Sequence, residues 1–262
     1  MPQRILTLTT DFGLDDHFVG VMKGVILGIA PSARIVDVCH SVSPFEVIEG
    51  AFTIAQAYTY FPPGTVHVVV VDPGVGSSRR PIVARAAGQY FVGPDNGVFC
   101  MVFAKEKHQV RAVTAGKYFL QDVSHTFHGR DVFAPVAAQL CRGLPWSRLG
   151  KLIDDYHRGF QVEPQRIGRR IWSGMVFKAD HFGNLITNLE TAEFPQLRLR
   201  PFELAVGARR LSRLVSTFSD APPGEPVVVP GSCGYLEIAV NQGNAAKMLG
   251  CGTGSPVELS IY

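Results

Sequence analysis

Val66-His67-Val68-Val69-Val70-Val71-Asp72-Pro73-Gly74-Val75-Gly76-Ser77-Ser78-Arg79-Arg80 passes from an almost unbroken β-branched run straight into a carboxylate, a turn and two cations. Such a run fits a strand covered on both faces of a parallel sheet, since an exposed face would demand alternating polar residues. Asp72 then falls at the strand's carboxyl end, where open α/β sheets collect their ligand groups. Pro73, Gly74 and Gly76 permit a tight turn and close backbone approach, and Arg79 and Arg80 bring positive charge within reach of it. A plainer description, a glycine-rich turn closed by a surface ion pair, fits the same residues.

On either side of this strand the first 150 residues alternate strand-like and helix-like segments. Ile5 to Thr9 reads as a strand, and the apolar positions Phe18, Val21, Met22, Val25, Ile26 and Ile29 give Asp15 to Ala30 helical spacing. Arg34 to Val38 completes a βαβ unit; Glu46 to Tyr58 reads as a second helix, and Ile82 to Ala84 and Tyr90 to Val92 as further short strands. The fold class expected is α/β, with an N-terminal, mostly parallel sheet (1–160) carrying helices on both faces. Between Tyr156 and Arg170 the pattern breaks into a linker with a small arginine cluster. Beyond it helical periodicity nearly vanishes, and strand candidates stand at Ile171 to Phe177, Phe202 to Val206, Val227 to Val229, Tyr235 to Val240 and Val257 to Ile261. A smaller C-terminal domain (169–262) is expected, a β-barrel or sandwich, with the barrel preferred.

Composition excludes several classes of function. The 262 residues are 46% hydrophobic, enough for a large core, and the formal net charge is only +3. Up to residue 160 there are 15 Lys and Arg against 13 Asp and Glu, and after it 10 against 9, so neither half is a basic arm for nucleic acid. Cys39, Cys100, Cys141, Cys233 and Cys251 are odd in number and form no Cys-x-x-Cys pair, which suits reduced thiols better than a disulfide frame or a zinc site. No apolar stretch reaches the ~20 residues of a membrane span, and Met-Pro-Gln-Arg leads directly into the first strand. A cytoplasmic protein is expected, with neither membrane nor nucleic acid as partner.

Several more polar clusters lie at element ends. Thr9 to His17 joins the first strand to the first helix, where Asp15 or Asp16 is expected to cap the helix. Asp11 precedes that cap and is placed to grip a sugar diol by accepting two hydroxyl hydrogen bonds. Ser124 to Pro135 packs His125, His128, Arg130 and Asp131 into an otherwise apolar stretch. One of the two histidines is expected to work, and Gly129 beside His128 leaves backbone room for a ligand. Asp95-Asn96-Gly97 reads as a turn. In the C-terminal part, Asp180 to Asn188 and Gly231 to Asn244 mix amides, aromatics and glycines in a way that suits a flat heterocycle, or else plain asparagine turns. In the former reading Asn184 and Asn241 meet a purine edge, while Phe182, Phe218 or Tyr235 stacks on its face.

Thr-Asp-Phe-Gly at 10–13, Asp-Pro-Gly-Val-Gly at 72–76 with Arg79 and Arg80, Phe-His-Gly-Arg-Asp at 127–131, Asp-His-Phe-Gly-Asn at 180–184 and Gly-Tyr-Leu-Glu-Ile-Ala at 234–239 occur in one order. Together they resemble the S-adenosyl-L-methionine hydroxide adenosyltransferases, the hydrolase branch of the fluorinase and chlorinase superfamily. The resemblance implies attack of water on the 5′ carbon of S-adenosyl-L-methionine, releasing adenosine and L-methionine. It also implies an N-terminal α/β domain, a C-terminal β-barrel, and homotrimers with sites between subunits. By motif, Asp72, Arg79 and His128 hold and activate the water, Asp11 grips the ribose, and Phe45 lines the pocket. Asp180, Phe182, Asn184, Phe218, Tyr235 and Asn241 complete the substrate-binding set. In the halide-using relatives a tyrosine replaces Asp72 and Tyr-Ser replaces His128-Gly129, so the water-using reaction is expected here. The substrate itself carries the reactive group, so neither cofactor nor metal is expected.

Two other readings follow from the same residues. Asp11-Phe12-Gly13-Leu14-Asp15-Asp16 looks like part of the signature of calcium-dependent nucleoside ribohydrolases, although Thr9 stands where the first aspartate belongs and a calcium site depends on its charge count. A non-catalytic module that binds adenosyl compounds is the other, and it gives Asp72, Arg79 and His128 no purpose.

Overall fold

The computed structural model describes residues 4–262, so the lead-in expected at Met1 to Gln3 lies outside them. The chain divides into two compact units between Phe160 and Gln161. The first contains strands β1 (Ile5–Thr10), β2 (Arg34–Cys39), β3 (Val66–Val70), β4 (Pro81–Ala86), β5 (Gln89–Pro94), β6 (His108–Ala112) and β7 (Leu152–Ile153). Its helices are α1 (Phe18–Ile29), α2 (Val47–Ala57), α3 (Cys100–Lys105) and α4 (Ala134–Cys141). The strands form one sheet in the order β2-β1-β3-β5-β4-β6-β7. Pairs β1/β2, β1/β3 and β3/β5 are parallel, while β4 and β6 bring in an antiparallel edge.

β3 is buried at all five positions, as its unbroken valine pattern requires. Val66, Val68 and Val70 pack with Leu6 and Leu8 of β1, Met22 and Ile26 of α1, and Val136, Ala137 and Leu140 of α4. Each buried valine contributes on the order of 1.5 kcal/mol or more relative to an exposed one. α2 and α3 pack against each other rather than against the α1 and α4 pair, which gives the sheet its two helical layers. At Gly50 of α2 an added Cβ would press on Val71 and Val98, so this helix sits close against the sheet.

One expectation fails at the start of α1. The helix begins at Phe18 with His17 as its first flanking residue, and no side chain caps it; Asp15 and Asp16 are exposed in the preceding bends. The left-handed turn at Gly13, whose N–H donates to the His40 carbonyl at 2.7 Å, carries the chain away from β1 before a helix can begin. Asp95-Asn96-Gly97 is the bend expected, and Asn96 Nδ2 there donates to the Val71 carbonyl at 2.9 Å.

The second unit is antiparallel. β9 (Ile171–Ala179), β10 (Leu185–Glu190), β11 (Phe202–Val206), β12 (Arg209–Leu211), β13 (Pro226–Pro230), β14 (Tyr235–Val240) and β15 (Pro256–Ile261) run in the order β12-β11-β15-β9-β10-β14-β13, with β8 (Gln165–Gly168) added on β9. Val215 N donates to Val228 O and Val228 N to Arg213 O, so the chain after β12 reaches β13 and nearly closes a barrel. Leu185, Leu189, Phe202, Leu204, Leu236, Ile238, Val257 and Leu259 fill it. β8 falls inside the stretch read as linker. β10 is absent from the sequence reading because its Thr187 and Asn188 look like turn residues. Both are buried, Thr187 donating to the Leu236 carbonyl and Asn188 bridging Val162 O and Met175 N. The short α5 (Ala245–Leu249), capped by Asn244, is likewise additional. Among the described residues no helix is long and apolar enough to cross a membrane.

A buried polar chain crosses the parallel half of the first sheet. Gln89 Nε2 donates to the Phe61 carbonyl, which turns Oε1 toward His67 Nε2 at 3.0 Å, and Thr7 Oγ1 lies 2.7 Å from His67 Nδ1. This order makes His67 the neutral Nε2–H tautomer, and burial pushes its pKa down from 6.5 to about 4. The unfolded chain binds that proton more readily, so the contribution of neutral His67 is complete above pH 6.5 and lost as pH falls to about 4. Denaturant midpoints measured between pH 7.5 and 4 are expected to record a loss of up to about 3 kcal/mol from this group. The slope should flatten in His67→Asn; an equal slope in that variant would assign the acid sensitivity elsewhere.

Candidate active site

Parallel pairing places Thr10 of β1 opposite Val70 of β3, so Asp11 and Asp72 leave the carboxyl ends of neighbouring strands. Strand order reverses at this pair, with β2 on one side and β5 on the other, and the crevice opens there. A cavity of about 300 Å³ is lined by Asp11, Phe12, Phe18, Pro44, Phe45, Val70, Asp72, Val75, Thr126, Phe127, His128 and Gly129. Four residues expected from the sequence, Asp11, Phe45, Asp72 and His128, therefore meet in one place.

Arg79 does not line the cavity; it holds the two groups that do. Its Nε donates to Asp72 Oδ1 at 2.9 Å and its Nη2 to Asp72 Oδ2, while Nη2 also lies 2.8 Å from His128 Nδ1. The pair is desolvated, with side chains 8% and 5% exposed, and the guanidinium lies 5.3 Å from the centre of the Phe133 ring. A guanidinium only donates, so His128 Nδ1 accepts and its remaining proton is on Nε2. Burial pushes the His128 pKa below its ordinary 6.5 and Arg79 adds to this, with Asp72 and Asp131 opposing. Arg79 Nη1 is buried and meets no acceptor among the described residues. Arg80, indistinguishable from its neighbour by sequence, points elsewhere, to Asp95 at 2.7 Å and Asp155 at 2.9 Å. His125 is exposed and stays out of the cavity.

Asp11 is steadied by the Phe45 N–H, which donates to its Oδ2 at 2.9 Å. Burial raises its pKa above 3.8; that hydrogen bond opposes the rise, and the charge of Asp72 across the cavity adds to it. Phe45 supplies the N–H from a left-handed backbone (φ 70°), an uncommon conformation for a bulky residue and one that recurs at functional sites. The residue is 70% exposed. Phe12, Phe18 and Phe127 form an aromatic cluster with centroids 5.1 to 5.8 Å apart. Sequence reading took Phe18 for helix core and gave Phe12 and Phe127 no role of their own. Gly129 packs so near Phe12, Met22 and Phe127 that a Cβ would press on all three, so its small size serves packing of the wall.

In the second unit, Asp180 and Asn184 are joined: Asn184 N donates to Asp180 Oδ1 at 2.8 Å and Asn184 Nδ2 to Oδ2 at 2.9 Å. Gly183 (φ 87°) closes that turn, and any Cβ there would overlap the Asn244 carboxamide. Phe182 is 73% exposed at its tip, and Phe218 is exposed too. Tyr235 is buried, edge-on to Phe177, with its hydroxyl toward Glu190 at 3.4 Å; the two phenylalanines are thus the rings open to a ligand. Asn241 spends one N–H on the Ala221 carbonyl at 2.6 Å. Glu237, part of the 234–239 motif but given no role from the sequence, is buried beside Gly231, and burial together with Asp180 raises its pKa. Among the described residues no three His, Cys, Asp or Glu side chains converge as a metal site.

Comparison with known proteins matches residues 6–150 to the S-adenosyl-L-methionine hydroxide adenosyltransferase N-terminal domain and 174–258 to the C-terminal domain. An (R)-S-adenosyl-L-methionine hydrolase from Salinispora tropica is 39% identical over 266 residues, covering 99% of this chain and 98% of the relative. One of the same name from Thermus thermophilus is 37% identical, covering 98% and 99%. The crystal structure of an uncharacterized conserved protein from Thermotoga maritima superposes with a TM-score of 0.88 at 40% identity, covering 98% and 99%.

The turn after Asp72 owes its shape to Gly76. At φ 78° a Cβ on this residue would run into the carbonyl oxygen of His125, so the two loops that carry Asp72 and His128 touch through it. Gly76→Ala is expected to cost about 2 kcal/mol or more in denaturant unfolding and to shift the His128 imidazole resonances. Wild-type stability and an unmoved His128 spectrum would show that the loops do not depend on this contact.

Proposed function

The chain belongs to the S-adenosyl-L-methionine hydroxide adenosyltransferase family, and from that membership and its joined Asp72, Arg79 and His128 side chains we propose that it hydrolyses S-adenosyl-L-methionine to adenosine and L-methionine. A water oxygen bonds to the ribose 5′ carbon as the bond from that carbon to sulfur breaks. The bonding pair stays on sulfur, giving the neutral thioether of methionine, and the water's proton leaves through Asp72. The observation that carries this reading is Arg79 bridging Asp72 and His128 at the cavity wall.

Each residue has a part. With Nδ1 taken by Arg79, His128 offers Nε2–H to the attacking oxygen and steadies the hydroxide character that it gains as its proton passes to Asp72. Asp72, held at both oxygens, keeps lone pairs to orient the water and receive its proton. Asp11 accepts the ribose hydroxyls, and Phe45 covers the sugar. We assign Asp180, Asn184 and Asn241 to polar contacts with the rest of the substrate, stacking on adenine to Phe182 or Phe218, and a supporting place behind them to Tyr235. The reading includes no metal or other cofactor. It includes a homotrimer with sites between subunits, supported by the exposed ring of Phe45 at the cavity. It also includes a cytoplasmic setting, supported by five free cysteines.

Oxygen-18 water with a chelator present is expected to yield adenosine labelled at its 5′ oxygen; unchanged substrate, or label elsewhere, overturns the reading. Asp72→Asn, Arg79→Ala and His128→Ala should each slow turnover by a factor of ~100 or more with substrate affinity mostly kept, and a variant with wild-type turnover would leave the chemistry. His128 must be neutral to accept from Arg79 and burial holds its pKa below 6.5, so the acid limb of kcat/KM is expected to be centred below pH 6.5. An acid limb centred above that value would contradict this role.

A further inference from the structure

Beyond the cavity wall lies a charged group with no part in the scheme above. Asp131 is 0% exposed, yet it is ionised: burial opposes its charge, and hydrogen bonds from Arg130 and Ser124 outweigh that and hold its carboxyl below the ordinary 3.8. A buried carboxylate is costly unless every lone pair is used. Here all its partners belong to the loop and turn that carry His128.

Asp131 Oδ2 accepts the Ser124 N–H at 2.8 Å, and Ser124 Oγ in turn accepts the Phe127 N–H at 3.0 Å. The Asp131 carbonyl accepts the Leu120 N–H at 2.9 Å, so one residue ties down the loop at two points. Its Oδ1 accepts Arg130 Nε at 2.5 Å, and the Arg130 guanidinium so held lies 5.2 Å from the centre of the Phe127 ring, part of the cavity wall. His128 itself begins the π turn Gly129–Phe133 in which Asp131 sits, where the N–H groups of Arg130 and Asp131 both point at the Phe127 carbonyl. Wide turns of this kind recur at functional sites because they displace a side chain from where regular helix would put it.

We propose that Asp131 is a positioning residue of this reaction: from beneath the turn it fixes the loop that places Thr126, Phe127 and His128, and it supplies negative charge that His128 feels. The assignment rests on the reading of this cavity as the water-activating site. The charged and titratable groups acting on His128 are Arg79 and Asp72 from the turn after β3, His125 from its own loop, and Asp131. Asp11 lines the same cavity. Of these, Arg79 and His125 disfavour a cationic imidazole, whereas Asp72 and Asp131 favour it.

The test uses the full chain, with the His128 imidazole assigned by its loss in His128→Asn and titrated by NMR alongside kcat and KM for S-adenosyl-L-methionine. Asp131→Asn keeps an acceptor for Ser124 and removes the charge. It is expected to move the His128 midpoint and the acid limb of kcat/KM together to lower pH, by about half a unit, with kcat down about tenfold and KM within about threefold. Asp131→Ala also removes the anchor, and kcat should fall about 100-fold. An unmoved midpoint in Asp131→Asn, or wild-type kcat in Asp131→Ala, overturns the proposal; if the alanine variant does not fold, the asparagine variant decides alone. Wild-type protein that fails to turn over the substrate would overturn the proposed function instead, and the titration would still read the link between Asp131 and His128.

Discussion

The buried guanidinium of Arg79 is the constraint around which the site is arranged. A desolvated cation must find anionic or strongly polar partners, because the penalty for removing it from water is several kcal/mol. Arg79 finds Asp72 through two parallel contacts, His128 through a third, and the face of Phe133 below. These come from two separate stretches of chain, the turn after β3 and the turn before α4. Planar, forked geometry makes this possible in a way an ammonium would not, since one rigid group fixes both the carboxylate plane and the imidazole tautomer. His128 is thereby committed to donating toward the cavity, and Asp72 to accepting from it. The division of labour between the two follows from the third residue, which itself stays behind the wall.

The sheet supplies the other half of the constraint. Asp11 and Asp72 face one crevice because β1 and β3 are parallel neighbours and end in register, Thr10 opposite Val70. Two carboxylates converging on a partly apolar cavity repel each other, which is one reason that the Asp11 pKa stands raised. The protein offsets this repulsion unevenly: Asp72 receives a guanidinium, Asp11 only a backbone N–H. That asymmetry fits one carboxylate for managing a reacting oxygen beside a fixed cation, and leaves the other freer to take hydrogen bonds from neutral hydroxyls.

Much of this could be read from the chain because its signals are local. A β-branched run ending in Asp72 has few structural solutions, and the βαβ pattern from Ile5 to Val38 fixes the neighbouring strand. What stayed illegible depends on distance in sequence. Arg79 and Arg80 differ only in which carboxylate each reaches, Asp72 in one case and Asp95 with Asp155 in the other. His125 and His128 differ only in which side of a turn each occupies. Asp15 and Asp16 carry the composition of a helix cap, but the turn at Gly13 sends the chain past the place where a cap would act. β10 hid because Thr187 and Asn188 bury their polar atoms on backbone groups from β14, β9 and the chain before β8, partners that no local pattern announces. Tyr235, grouped by composition with Phe182 and Phe218, is covered because β14 is buried at all its positions and the ring packs edge-on against Phe177.

The apolar character of the cavity completes the physical argument for its chemistry. Phe12, Phe18, Phe45, Phe127, Val70 and Val75 form most of the wall, and among the described residues only Asp11, Asp72, Thr126 and His128 present polar side chains to it. Attack of an oxygen nucleophile on carbon beside a sulfonium cancels opposite charges as the bond forms. Water, which stabilises the separated charges, therefore slows the reaction, and aromatic walls that exclude it favour the transition state. The same exclusion strengthens the few hydrogen bonds that remain, since in the proposed reaction the attraction between His128 Nε2–H and a partly charged oxygen grows as the local dielectric falls. A largely apolar cavity thus requires few polar groups but places each of them under a tight geometric demand. Arg79 behind the wall and the turn contact at Gly76 meet that demand with groups that need not touch the substrate.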